Sequence, residues 1–327
     1  MGEFDLIARY FTRPAAPGGG VALGVGDDCA LLAPAPGMQL AVSSDMLVEG
    51  RHFLSTVDPA ALGHKALAVN LSDLAAVGAK PLAFTLALAL PAVDERWLAG
   101  FARGLFALAD AHGCQLAGGD TTRGPLNICI TVFGEVPAGG ALLRSGARAG
   151  DDVWVSGTLG DARLALEVFR GTLAVPAEVF GAARERMERP APRVALGQAL
   201  RGLASSAIDV SDGLAGDLGH VLKASGVGAT LDADAAAGRI AARRAAGLDG
   251  FGADTWRSLA LAGGDDYELA FTAPAPARAA VEQAGRSCGT PVTRIGRIEP
   301  APGLRIVDAQ GAPLAQRFAS FDHFGTP

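Results

Sequence analysis

Aspartates in short Gly- and Ser-rich motifs are the residues of this chain whose type and spacing could do chemistry. The motifs are GVGDDCA, SSDMLVEGRHF, NLSDLAAVGA, GGDTTRGP, IDVSDGLAGDLGH and GGDDYEL. Glycine lets a backbone approach a ligand closely and presents amides to phosphate oxygens. An aspartate beside glycine is also common in turns and helix caps. A single motif therefore indicates little, and their recurrence is what points to a site.

Two of these acids stand in apolar surroundings. Asp73 follows ALAVNL in a helical pattern, and Asp209 lies inside an apolar strand pattern. A buried carboxylate needs a cation or hydrogen-bond donors, and few lysines and arginines lie near these motifs. If the acids converge, metal ions are the natural counter-charge. Oxygen ligands without a His or Cys cluster favour Mg²⁺, and scattered aspartates suit several ions on a polyphosphate.

Other nucleotide-binding motifs are absent from the sequence. It has no GxxxxGK[ST] or GxGxxG pattern and no HRD/DFG pair, which excludes P-loop, Rossmann and protein-kinase interpretations. His52 follows Arg51 in a loop after the Asp45 motif. A ligand contact and a plain loop position remain equally open for His52.

Composition limits the class of protein and its partners. The 327 residues are 50% hydrophobic and carry 28 basic and 34 acidic side chains, a net charge of −6. The acidic balance disfavours nucleic-acid binding. The start, MGEFDLIARYF, contains two acids and no apolar core of a signal peptide, and no apolar run is long enough for a bilayer. We expect no membrane partner, a cytoplasmic location, and free thiols at the four cysteines.

Helix and strand patterns interleave along the chain, which predicts an α/β (α+β) class. In the first half we expect helices over 3–12, 59–78 and 94–112. Strands are expected over 39–43, ending at Ser44 and Asp45, over 82–90, and over 114–117 and 126–136 around a GGDTTRGP loop. A Gly/Ala/Arg-rich stretch at 137–151 separates a second unit, which begins with the strand DVWVSG. The predicted domains are 1–138 and 139–327.

Taken together, the motifs resemble a known family. GEFDLIARYF, GVGDDCALL, SSD…GRHF, KALAVNLSDLAAVGA, GGDTTRGPL, RSGARAGD, AIDVSDGLAGDLGH, GGDDYEL and FDHFGTP occur in family order over nearly the whole chain. They are similar to those of bacterial thiamine-monophosphate kinases, in the superfamily of aminoimidazole-ribonucleotide synthetase-like enzymes. The joint match is far more specific than any one motif.

The resemblance implies a two-domain aminoimidazole-ribonucleotide synthetase-like fold, a homodimer formed through the N-terminal sheet, and ATP with several Mg²⁺ ions between the domains. The implied reaction is phosphorylation of thiamine monophosphate by ATP. The implied Mg²⁺ ligands are Asp28, Ser43, Ser44, Asp45, Asp73, Asp120, Asp209 and Asp212. The implied ATP contacts are Gly119, Asp120, Arg144 and Ser211. The implied contacts to thiamine monophosphate are His52, Asp265 and Phe321.

The chain departs from the family pattern at two positions. Ser44 stands where the family often has threonine, which keeps the hydroxyl group. Asp265 stands where the family usually has glutamate and is one methylene shorter, so a structural role for it stays open. Phe321 could likewise be core packing or a stacking surface for a heterocycle. Two other functions stay open: a different synthetase of the superfamily, or a non-catalytic metal- or nucleotide-binding scaffold.

Overall fold

The computed structural model describes residues 2–13, 20–26, 28–244, 248, 250–316, 318 and 321. The chain divides into two compact units. The first comprises Met1–Leu74 and Ala79–Ala141, and the second comprises Ala75–Gly78 and Leu142–Pro327. The functional division into 1–138 and 139–327 stays a prediction.

The first unit is built on a four-stranded sheet. Its elements are α1 (Glu3–Leu6), a π-helical turn (Ile7–Phe11), β1 (Val21–Leu23), β2 (Leu31–Leu32), β3 (Met38–Val48), α2 (Pro59–Ala76), β4 (Lys80–Leu90), α3 (Glu95–His112), β5 (Gln115–Arg123) and β6 (Asn127–Pro137). The strand order is β3-β6-β4-β5, with β4 and β5 parallel and the other pairs antiparallel. Strands β1 and β2 form a separate antiparallel pair.

Local sequence explains where the two long helices begin. The Asp58 carboxylate accepts the main-chain N–H groups of Ala60 and Ala61 at 2.9 and 3.1 Å, with Pro59 as the first helical residue of α2. Asp94 accepts those of Arg96 and Trp97 in the same way at α3. Such caps satisfy N–H groups that have no partner inside the helix. Helix α2 is buried along nearly its whole length, as its apolar sequence requires.

Two strands are longer than the sequence predicts, and this changes the setting of the acids. β3 continues through Ser44 and Asp45 to Val48, in unbroken register with β6. β5 continues through Asp120 to Arg123, paired with β4. The predicted end of the first strand and the predicted GGDTTRGP loop are therefore wrong. Both motifs lie within edge strands, whose single partner strand supplies hydrogen bonds that no local pattern reveals.

The second unit surrounds a six-stranded mixed sheet. Its elements are β7 (Asp152–Ser156), α4 (Asp161–Phe169), α5 (Ala177–Glu188), α6 (Val194–Ala199), β8 (Ser206–Asp209), α7 (Leu214–Ser225), β9 (Gly228–Asp232), α8 (Ala233–Ala237), α9 (Ala253–Ala262), β10 (Leu269–Ala273), α10 (Arg278–Ser287), β11 (Val292–Glu299) and β12 (Gly303–Val307). The strand order is β12-β9-β11-β7-β10-β8, and only β12 and β9 are parallel.

One apolar core fills this unit. It joins alternate residues of the strands to the inner faces of the helices, for example Val153, Val155, Leu164, Leu218 and Leu259, each at most 4% exposed. The mixed sheets and flanking helices confirm the predicted α/β (α+β) class. Among the described residues, no helix combines the length and apolar character needed to cross a membrane.

Candidate active site

Facing residues of β3 and α2 form the first polar group of the first unit. Ser43 Oγ donates to Asp73 Oδ2, and the main-chain N–H of Asp45 donates to Asn70 Oδ1 at 3.0 Å. Asn70 is 1% exposed, and its Nδ2 donates to the Ala66 carbonyl at 3.0 Å. The structure therefore brings together three of the predicted ligands, Ser43, Asp45 and Asp73.

The Ser44 side chain lies on the opposite face of β3, because successive side chains of a strand alternate. Its Oγ lies 3.0 Å from Thr131 Oγ1 and donates to the Ile130 carbonyl at 3.2 Å. Ser44 is thus separated from the Ser43–Asp73 contact by the thickness of the strand. Its role as a Mg²⁺ ligand stays a prediction.

A cavity of about 490 Å³ beside β5 contains the second polar group of this unit. Its polar lining includes Asp28, Gly119 and Asp120, all of which lie at the surface. Its apolar lining includes Ile7, Phe11, Val25, Leu86 and Leu116. A volume of this order and a mostly apolar wall with a few polar groups are typical of small-molecule sites.

Gly119 has a conformation that only glycine can adopt here. Its φ is +150°, and a Cβ at this position would overlap the Leu86 carbonyl oxygen. The strand pairing shifts register just before the Gly-Gly pair, between Leu116 and Gly118. The Gly-Gly pair therefore follows an irregularity of the edge strand, and Gly119 lets the main chain lie close to β4 immediately before Asp120.

The two polar groups lie at opposite edges of the sheet. β3 carries Asp45 and β5 carries Asp120, with β6 and β4 between them. Three strand spacings correspond to roughly 14 Å, so one ion cannot bind both acids of the same chain. Among the described residues, no three His, Cys, Asp or Glu side chains are grouped as a metal site. Asp45 and Asp120 of one chain can therefore serve only separate ions.

His52 follows β3 in a tight loop and is half-buried. The Nδ1 atom of its imidazole accepts the main-chain N–H of Val48 at 3.0 Å. The main-chain N–H of His52 donates to the Val48 carbonyl at 3.0 Å. In the neutral imidazole the proton is then on Nε2, which makes that nitrogen a donor. This geometry suits a donor to an anionic ligand, and the substrate contact stays a prediction.

Three segments of the second unit meet at the carboxyl end of β8. The N–H of Asp265 donates to the Ser211 carbonyl at 2.8 Å, and the N–H of Phe321 donates to the Asp212 carbonyl at 3.0 Å. Asp212 and Phe321 are exposed, whereas Ser211 and Asp265 are half-buried. The structure thus brings together four residues predicted to contact metal, ATP or substrate.

Asp217, for which the sequence suggested no role, lies below this group in the first turn of α7 and is 4% exposed. Its Oδ2 accepts the main-chain N–H groups of Ser211, Asp212 and Gly213, each at 3.1 Å. Burial, and secondly the Asp212 charge, raise the pKa of Asp217 to about 7 against the opposing effect of these donors. Asp209, 6% exposed, ends the preceding strand.

The GGDDYEL motif has a strained backbone. Asp265 and Tyr267 have φ values of 66° and 51°, in the left-handed region that non-glycine residues rarely occupy. The Tyr267 hydroxyl donates to Asp265 Oδ1 at 3.1 Å. The N–H of Tyr267 donates to the Val210 carbonyl at 2.8 Å. Such strain persists only where surrounding contacts hold the backbone in place.

The alternate residues of this motif supply those contacts. Asp266 is 3% exposed, and both its carboxylate oxygens accept the Gly160 N–H, at 2.8 and 3.0 Å. Burial raises the pKa of Asp266 well above its ordinary value. Glu268 is fully buried and binds Arg193 through two hydrogen bonds of 2.6 and 2.5 Å and Arg186 at 2.9 Å. Asp266 and Glu268 thus anchor the chain on either side of Tyr267.

Arg144 lies away from this group within the second unit. Its carbonyl accepts the Ser225 hydroxyl at 3.2 Å, at the carboxyl end of α7, whereas Ser211 and Asp212 precede the amino end of that helix. The 12-residue helix is about 18 Å long, so the main chain at Arg144 is far from Ser211. The Arg144 side chain is exposed, and its contact with ATP stays a prediction.

Sequence reasoning missed the residues that hold the candidate ligands in place: Asn70, Asp217, Tyr267 and Glu268. Asn70 carried a usable signal, because an amide in the otherwise apolar run ALAVNL must find partners when buried. Asp217 and Glu268 could not be separated from neighbouring acids by type or spacing. Their partners become visible only in three dimensions.

Comparisons with known proteins identify the family of this chain. The model of the family "AIR synthase related protein, N-terminal domain" matches residues 26–136, and that of the corresponding C-terminal domain matches residues 148–309. Thiamine-monophosphate kinase of Salmonella typhimurium is 50% identical over 328 residues, covering 100% of this chain and 99% of that protein. The chain belongs to the thiamine-monophosphate kinase family.

Solved structures of the thiamine-monophosphate kinase family have the same fold. The enzyme of Stenotrophomonas maltophilia K279a is 45% identical with a TM-score of 0.82, covering 95% of this chain and 96% of that one. The structure "AaThiL complexed with AMPPCP and TMP" is 27% identical with a TM-score of 0.75, covering 98% of this chain and 96% of that one. These matches confirm the predicted family, its kinase class and the two-domain fold.

Proposed function

We propose that this protein transfers the terminal phosphoryl group of ATP to thiamine monophosphate, giving ADP and thiamine diphosphate. The observation that carries the proposal is the relative complexed with AMPPCP and TMP, whose fold aligns with 98% of this chain. The 50% identity to a thiamine-monophosphate kinase over the full chain supports the same substrate pair.

The acceptor chemistry places modest demands on the protein. The second pKa of a phosphate monoester is about 6, so the acceptor is already largely an anion at neutral pH. A strong general base is unnecessary, and the main difficulty is the approach of two polyanions in line. We propose direct transfer without a phospho-enzyme. Detection of a covalent phosphoryl intermediate after mixing with radiolabelled ATP would contradict it.

The residues present fit Mg²⁺. The donors are carboxylates and hydroxyls, in the Ser43–Asp73 pair beside Asp45, in the cavity with Asp28 and Asp120, and around Asp212. Mg²⁺ favours such oxygen ligands and binds proteins through one or two carboxylates together with substrate phosphates. Bound there, Mg²⁺ supplies positive charge that reduces repulsion between the substrates.

We assign the residues as follows. Proposed Mg²⁺ ligands are Asp28, Ser43, Ser44, Asp45, Asp73, Asp120, Asp209 and Asp212. Proposed ATP contacts are Gly119, Asp120, Arg144 and Ser211. Proposed contacts to thiamine monophosphate are His52, as a donor through Nε2, with Asp265 and Phe321. The close main-chain approach that Gly119 permits and the donors at Ser211 suit phosphate, and Phe321, which is 46% exposed, suits stacking on a heterocycle.

One assay tests the proposed function. ATP consumption is measured in Mg²⁺ buffer with thiamine monophosphate, with thiamine, and with no acceptor. Turnover that depends on thiamine monophosphate is expected. Turnover with thiamine alone would indicate another acceptor, and tight ATP binding without turnover would favour the scaffold function.

We also propose a homodimer formed through the sheet of the first unit, in the cytoplasm. Alternation along β3 places Leu40, Val42 and Met46 on one face, where they are 45, 58 and 53% exposed. Contiguous exposed apolar side chains on an edge strand are typical of interaction surfaces. Sedimentation should give the mass of two chains, and Val42→Arg should shift it towards one. A wild-type monomer at micromolar concentration would contradict the proposal.

A further inference from the structure

The loop Ser211–Gly213 has its main-chain groups bound on both sides. One carboxylate oxygen of Asp217 accepts all three N–H groups, at 3.1 Å each. On the other side, the carbonyls of Ser211 and Asp212 accept the N–H groups of Asp265 and Phe321 at 2.8 and 3.0 Å. The backbone of the loop is therefore fixed, with Asp212 exposed and Ser211 half-buried.

The chemical type of residue 217 matters for this arrangement. Three donors converging on a single oxygen are best matched by an anionic acceptor, because hydrogen bonds to ionised groups are stronger than neutral ones. The position in the first turn of α7 also favours negative charge. A carboxylate that is 4% exposed is otherwise costly to bury, so these donors are needed for it to be there.

We infer that Asp217 is a positioning residue for nucleotide and cation binding: it holds the main chain of Ser211–Gly213 so that Ser211 and Asp212 keep the geometry that their ligands require. This inference rests on the proposed roles of those two residues. Asp217 itself touches neither ligand. Its effect is that of an outer partner that orients a ligating group, and loss of such partners typically weakens metal binding about 10- to 100-fold.

Asp161 provides a matched control in the same unit. It is 2% exposed, and its carboxylate accepts two consecutive main-chain N–H groups, those of Ala241 and Ala242, each at 3.0 Å. Burial raises its pKa, as it does for Asp217. Asp161 therefore shares the burial and hydrogen bonding of Asp217 but holds a segment without candidate site residues.

The experiment compares wild type with Asp217→Asn, Asp217→Ala and Asp161→Asn. Amide hydrogen exchange of peptides spanning 209–214 reports the loop directly. Binding of a non-hydrolysable ATP analogue with Mn²⁺, a paramagnetic substitute for Mg²⁺, is followed by calorimetry and electron paramagnetic resonance. We expect faster exchange and about 10- to 100-fold weaker binding for Asp217→Ala, a smaller change for Asp217→Asn, and wild-type values for Asp161→Asn.

Other outcomes overturn the inference. Faster loop exchange with unchanged ligand binding would show that the loop needs no fixing. Ligand binding that is weakened equally in Asp161→Asn would show a general loss of stability. The melting temperatures of all variants would reveal such a loss. Neither readout needs turnover, so absence of phosphoryl transfer in wild type would contradict the proposed function and leave this comparison intact.

Discussion

Two groups of acids, one in each unit, look alike in sequence but have opposite settings. In the first unit, Asp28 and Asp120 are exposed in a cavity, and Asp45 lies half-buried on an edge strand. In the second unit, Asp217 and Glu268 are buried and fully engaged with main-chain amides, hydroxyls or arginines. The first group can receive ligands, whereas the second holds segments in place. Solvent access therefore decides whether an acid in these motifs can receive a ligand or holds a segment in place.

The largest expected effect tests the ligand-receiving group. Asp45→Asn and Asp120→Asn should each lower kcat about 100-fold. The amide keeps the size of the side chain but removes the negative charge with which each aspartate would bind Mg²⁺ beside the substrates. His52→Ala should lower it less than tenfold, because a single hydrogen bond contributes about 1 kcal/mol. Steady-state rates at saturating ATP measure this.

Asp94→Asn is the control for these variants. Asp94 is an exposed acid of the same unit that caps α3, and asparagine caps helices equally well. Its turnover should match wild type. A loss for His52→Ala as large as that for Asp45→Asn would contradict the assignment of roles.

The second prediction concerns the segment-holding group. Glu268→Gln leaves Arg193 and Arg186, whose side chains are 18% and 23% exposed, without their carboxylate. Breaking a buried ion pair from one side costs about 3–5 kcal/mol, which corresponds to about 10 °C in melting temperature. Differential scanning calorimetry measures the shift. Glu185→Gln, which breaks an exposed ion pair with Arg189, should leave the melting temperature unchanged. Equal shifts in melting temperature for Glu268→Gln and Glu185→Gln would contradict the role of Glu268 in holding its segment in place.

A third, smaller effect is expected at Asp265, a proposed substrate contact that directly precedes the buried Asp266. Tyr267→Phe removes the hydroxyl that donates to Asp265 Oδ1 at 3.1 Å and nothing else. If Asp265 contacts thiamine monophosphate, KM for that substrate should rise about three- to tenfold, with kcat within twofold. Tyr10→Phe is the control, since the exposed Tyr10 hydroxyl donates to the Glu95 carbonyl at 3.4 Å, within the first unit. An unchanged KM in Tyr267→Phe would favour a purely structural Asp265.

Much of the fold could be predicted because its determinants are local. The Asp94 cap, the apolar run of β4 and the interleaved periodicities follow from short stretches of sequence. The extents of β3 and β5 could not, because they depend on pairing with strands elsewhere in the chain. The acids expected in loops at Asp45 and Asp120 lie in edge strands for this reason.

The candidate site was predictable as a set of residues but not as an arrangement. Recurring motifs identified Ser211, Asp212 and Asp265, which the structure brings together. The carboxylates that position them were indistinguishable in sequence from ligands. Glu268, for example, is recognisable as a structural acid only through Arg193 and Arg186, 75 and 82 positions away.

The smallest effect probes solvent access at the first site through its thiols. Cys29 is exposed and adjoins Asp28 of the cavity, whereas Cys114 is buried and burial raises its pKa. The thiolate is the reactive form, so a maleimide should modify Cys29 first and Cys114 only on unfolding. Mg²⁺ with ATP should slow labelling of Cys29 a few-fold if Asp28 binds them, and leave the half-buried Cys288 unaffected. Peptide mass spectrometry measures each site. Equal slowing of labelling at Cys29 and Cys288 would indicate that the ligands stabilise the whole fold instead of covering the cavity. A ligand that binds the folded state slows the reaction of every thiol that becomes accessible by unfolding.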